Sequence, residues 1–115
     1  MFRAHLEGRD HPHKSRQRSE ELDFAQVTTR LRAMNSHFLT LARRWTKAEL
    51  ADPVHFAFVG GGEGRMTRED ILLHLANHAT YHRGFVSTLL YPYKTKIRAD
   101  DLTIFFKRCL AKHRG

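Results

Sequence analysis

The chain has one cysteine, three prolines and no apolar run that approaches a membrane span, for which roughly 18 consecutive apolar residues are needed. Cys109 alone cannot close an internal disulfide, which excludes a disulfide scaffold and suits a reducing cytoplasm. The opening stretch MFRAHLEGRDHPHKSRQRSEE contains no apolar signal core, so export is not expected. Acidic residues are scarce as well: 12 Asp and Glu face 20 Lys and Arg, a formal net charge of +8. At 115 residues there is chain enough for one small domain with a single core of two layers.

The positive excess is uneven. From Arg83 onward eight Lys or Arg residues face two Asp. A balance of this kind permits binding to nucleic acid or to an acidic partner. These charges nevertheless fall on a loop (Lys94, Lys96, Arg98) and around a C-terminal helix (Lys107, Arg108, Lys112, Arg114), without lining up on one helical face. They read more simply as a solvated basic surface.

Residues 1–20 are polar, lack a consistent apolar period and read as an extended arm. Beyond them Val27, Leu31, Met34, Phe38, Leu41 and Trp45 step by four, three, four, three and four, the seam of a packed helix expected over 21–47. In PVHFAFVGGGEGRM, Val54, Phe56 and Phe58 alternate with other residues before a glycine cluster, predicting a short extended segment and a turn. The glycines are not followed by Lys and Ser or Thr, so a hairpin tip is expected rather than a phosphate-cradling loop.

Thr67 is a suitable cap for a second long helix, with Asp70 three residues on and Glu69 beside it. Ile71, Leu75, Ala79, Val86 and Leu89 carry that helix to about Leu90, and Pro92 stops it. Asp100 and Asp101 cap a short third helix with a stripe of Leu102, Phe105, Phe106, Cys109 and Leu110. The expected fold is therefore all-α: two long helices, one short C-terminal helix and a short extended segment. Two long apolar faces need more partner surface than three elements supply, so a homodimer rebuilding a four-helix core is expected.

The second long helix contains LLHLANHATYHRG, with His74, His78 and His82 at every fourth position. At about 100° per residue, His78 and His82 fall in the middle of the apolar stripe and His74 near its edge. Side chains one turn apart can aim two nitrogens at a common ion. They can equally be neutral core imidazoles with satisfied hydrogen bonds. Spacing alone leaves both readings open.

LLHLANHATYHRG followed by DDLTIFF resembles the C-terminal half of the DinB/YfiT-like family of metal-dependent helical-bundle proteins. The family pattern is H-x-x-N-H-x-x-x-H-R-G-Q, a loop, then D-L-hydrophobic-x-aromatic. The likeness covers roughly residues 20–108 and is concentrated in Asn77–Gly84 and Asp101–Phe106. It implies a truncated DinB-like four-helix bundle: residues 1–20 an arm, residues 21–115 a partial domain lacking the family's first two helices. FRAHLEGRDHP resembles the end of the second of those helices.

The resemblance implies that His78 and His82 ligate a divalent metal, zinc or nickel, with a third histidine from an earlier helix. Substitutes for that third ligand are His5, His11 and His13 in the arm, His55, and His37, which is expected to face away. A second copy of the chain is another source. His74, Asn77, Tyr81 and Arg83 are candidates to line the pocket or orient a ligand, Arg83 alternatively forming an ion pair. Phe85 stands where the family favours Gln. Tyr91 and Tyr93 read as packing or a pocket mouth, Asp101 as a cap and Cys109 as core.

Two functions follow. One is a cytoplasmic metalloenzyme, a thiol-dependent transferase or hydrolase-like protein whose metal activates water or a thiol. The other is an inactive dimeric scaffold, or a basic module for nucleic acid or an acidic partner, with a vestigial metal site.

Overall fold

The computed structural model describes residues 1–15, 21–97 and 101–113. The chain divides into two compact units, Met1–His78 and Ala79–Gly115. It is mostly helical, with one two-stranded sheet. The expected helical character is present, and the extended segment forms one strand of a β-hairpin in the first unit.

That hairpin pairs β1 (Pro53–Ala57) with β2 (Glu63–Thr67) in antiparallel register, Phe56 opposite Gly64 and Val54 opposite Met66. Val54 and Phe56 are half-buried while His55 and Ala57 are exposed, the alternation a pleated strand imposes. Gly60, Gly61 and Gly62 turn the chain with φ of +95°, +100° and +91°, a region where side chains are strained. The Phe58 N–H donates to the Gly62 carbonyl at 2.9 Å and closes the loop.

The amino terminus is not wholly an extended arm. Phe2–Leu6 form a short helix, α1, which packs on β1 and buries Ala4 and His5. One turn and a half of helix is too short to show a period, so only contact with the hairpin reveals it. Residues 16–20 of the arm lie outside the described residues.

The first long helix, α2, runs Phe24–Arg44 rather than 21–47. Asp23 and Gln26 make a reciprocal capping box at its start. Its end is set by Thr46, which with Glu49 caps a separate short helix, α3 (Lys47–Ala51), forcing Trp45 into extended backbone. Met34, Phe38, Leu41 and Trp45 are half-buried, whereas Val27 and Leu31 at the other end of the same seam are exposed. Arg68 fastens this corner: Nη1 donates to the Glu49 carbonyl at 3.1 Å and to Asp52 Oδ2 at 2.9 Å, and the guanidinium lies over the Trp45 ring.

The helix carrying the histidines, α4, spans Arg68–Leu90, and a 3-10 turn at Tyr91–Tyr93 containing Pro92 follows it. Thr67 and Asp70 cap it as expected: the Asp70 N–H donates to Thr67 Oγ1 and the Thr67 N–H to Asp70 Oδ2, both at 3.0 Å. The Thr67 hydrogen bonds hold the Asp70 carboxyl below its usual range. Because that shift is downward, the cap's contribution is present above the ordinary carboxylate range and is lost as pH falls through the lowered value. Thr67→Ala is expected to cost about 0.5–2 kcal/mol in urea denaturation at neutral pH. The difference from wild type should shrink in acid.

In the second unit α5 spans Leu102–His113, and the Phe105 N–H donates to the Asp101 carbonyl at 3.0 Å. Asp100, Arg98 and Arg114 lie outside the described residues. The expected buried stripe on this helix is corrected: Leu102, Phe105, Phe106 and Leu110 are exposed, and Cys109 is half-buried. An amphipathic pattern says which face is apolar, not whether anything covers it.

Candidate functional site

The capped first turn of α4 places Ile71, which is fully buried, and the histidine row starts one turn later. His74 is half-buried, with the Phe2 ring centroid 5.0 Å from its own. His78 stacks on His74 at 5.3 Å with the rings 14° apart. His82 lies one turn further along the helix, with Tyr81 edge-on to it at 5.3 Å. His74 and His78 are thus stacked one turn apart at the end of the first unit, and His82 belongs to the second.

Their setting differs from the expected buried stripe. Beyond Leu75 the helix is exposed apart from Ser87 and Leu90, and His78 and His82 are exposed with it. The Phe2 ring of α1 reaches the second turn of α4 at His74. Asn77 is exposed, and with Met66, Asp70, Leu73 and His74 it borders a shallow hollow of about 470 Å³. Arg83 Nη2 donates to Thr80 Oγ1 at 2.9 Å. Tyr81, Tyr91 and Tyr93 are exposed.

His78 and His82 provide two nitrogen donors. Among the described residues no three His, Cys, Asp or Glu side chains converge on a point that would hold a metal ion. Two imidazoles one turn apart supply two of the three or more protein ligands that a metal centre takes.

Five further histidines, all in the first unit, come together with partners far apart in the sequence. His5 is 9% exposed and stacks on Phe56 at 4.6 Å, with the rings 23° apart. His11 meets His5 edge-on at 5.1 Å, and His13 lies 5.5 Å from His11. These three and His55 line one cleft of about 580 Å³ between the arm and the hairpin. Burial pushes the His5 imidazole below its ordinary range, with the charges of His11 and the amino terminus adding to the effect. His37 does not face away as expected: it is half-buried, with Nε2 3.8 Å from Glu7 Oε1. Single-helix periodicity is blind to such a contact, because Glu7 lies thirty residues before His37 and outside its helix.

A sequence profile of the DinB superfamily matches residues 1–86. The match takes in the amino-terminal arm together with His74, His78 and His82, and ends before the Asp101–Phe106 stretch. No curated protein matches the chain, and no solved structure does.

Proposed function

We propose that this chain, which belongs to the DinB superfamily, binds a divalent metal ion, zinc or nickel, through His78 and His82. The observation that carries the reading is their one-turn spacing on a single helix inside the region that matches the family. Once bound, such an ion lowers the pKa of coordinated water or thiol, the chemistry a hydrolase-like or thiol-dependent transferase uses. In this reading His74 restrains the His78 ring by stacking on it. Arg83, anchored to Thr80, offers its guanidinium to an anionic substrate group.

A third donor has to come from elsewhere, and a homodimer is its proposed source. Phe85, Val86 and Leu89 on α4 are exposed apolar side chains that a second copy would cover. No helix among the described residues is long and apolar enough to cross a membrane. A cytoplasmic setting is proposed on the single cysteine.

The second reading, an inactive scaffold for an acidic partner or nucleic acid, draws on the incomplete donor set and the basic C-terminal third. Elemental analysis of the purified chain separates the two, with light scattering for its mass. We expect about one zinc or nickel per chain or per dimer in wild type, and its loss in His78→Ala/His82→Ala. A metal-free wild type that dimerises and binds polyanion with a steep salt dependence would favour the scaffold.

A further inference from the structure

We propose that the cleft between the amino-terminal arm and the hairpin binds a small aromatic anion whose charged end is a carboxylate or phosphate. This site is built wholly from the first unit and stands apart from the His78/His82 reading. Imidazoles of His5, His11, His13 and His55 line the cleft together with Arg9 and Lys14, against a single carboxylate, Asp10. Such a lining is a donor surface for an anion even when its imidazoles are neutral.

The local hydrogen bonding points the same way. The His13 N–H donates to His11 Nδ1 at 3.2 Å, so the ring proton of neutral His11 resides on Nε2, a donor. At the root of the cleft the His5 Nε2 is buried and has no hydrogen-bond partner among the described residues. Lys14, also in the lining, is exposed. Arg9 is drawn to Glu7 at 2.5 Å, which leaves Lys14 as the cation better placed to follow a ligand.

The hairpin side of the cleft supplies aromatic surface for the ligand's other end. Phe56 and Phe58 meet edge-to-face at 5.2 Å, and Phe58 is 48% exposed within the cleft lining. An open aromatic face beside a row of donors suits a planar ring bearing one anionic group. A bare inorganic anion would leave that face wet.

Ligand charge and metal separate the alternatives, because an anion site, an apolar pocket and a chelate each prefer a different probe. The full chain is titrated with 2-naphthoate, with neutral 2-naphthol and with zinc chloride, by calorimetry and by NMR of the imidazole carbons. Naphthoate should bind one per chain, about tenfold or more tighter than neutral naphthol. His11→Gln and Lys14→Ala, both at the cleft's surface, should each weaken it about three- to tenfold, with far-UV circular dichroism unchanged. Naphthoate affinity indifferent to both substitutions overturns the proposal. Naphthol binding as tightly would reveal an apolar pocket instead. Zinc bound at these imidazoles with no naphthoate binding would make the cluster a metal site.

Discussion

Ile71→Ala should destabilise the first unit by about 2–5 kcal/mol, the range for removing most of a buried branched side chain and leaving a cavity. Ile71 is the one large apolar side chain that is completely excluded from solvent, and Ala4 is the only other buried apolar residue among those described. A small domain is stable by only about 5–15 kcal/mol. One side chain therefore carries a large share of what holds the hairpin, α1 and the first turn of α4 together. Urea denaturation is the direct measurement, with Ile71→Val as the graded control at about 0.5–1.5 kcal/mol. A loss under about 1 kcal/mol for alanine would show that the site collapses freely and is not the core.

The same substitution separates the stability of the fold from the proposed chelate. His74 touches Phe2, so loosening the first turn of α4 should release that ring contact, readable by NMR of the imidazoles. His78 and His82 depend only on α4 remaining helical, because their spacing is local. Metal content should therefore fall less steeply than stability does. Equal losses would mean that the docked arm, and not the helix alone, sets up the pair.

The features legible in the sequence were those with a local physical cause. Thr67 and Asp70 at one end of α4 and Pro92 at the other bracket it because caps and breakers act within a turn. The glycine run read as a hairpin tip because positive φ is a property of single residues. The break at Trp45 had a local signal too, the Thr46–Glu49 capping box, but the seam of α2 runs through it and conceals it. The cleft of His5, His11, His13 and His55 had none, since residues from an arm and a strand some forty positions apart assemble it. Exposure of His78 and His82 was likewise hidden: a helical wheel fixes their angle, and only a neighbouring element fixes their burial.

Gly64→Ala should cost about 1–3 kcal/mol, as overpacking does where a neighbour has to give way. The reason differs from that at the hairpin tip. At Gly60, Gly61 and Gly62 an added Cβ would meet nothing within 4 Å, and their positive φ alone demands glycine. Gly64 is buried opposite Phe56, and a Cβ there would drive into the Phe56 ring, overlapping Cε2 and lying 2.7 Å from Cζ. That ring cannot simply swing aside, because it stacks on His5 and meets Phe2 and Phe58 edge-on. Moving it lifts α1 from the strand and exposes the His5 imidazole, so His5 should titrate closer to an ordinary histidine in the variant. Naphthoate affinity should drop with it, whereas Gly61→Ala, costing about 1–2 kcal/mol through backbone strain, should leave the cleft intact. Thermal melts give the stability of both variants, and NMR titration of His5 gives the local readout. A Gly64→Ala chain that melts with wild type and keeps the His5 titration unchanged would disprove the packing of Phe56 against Gly64, and with it the docking of the arm.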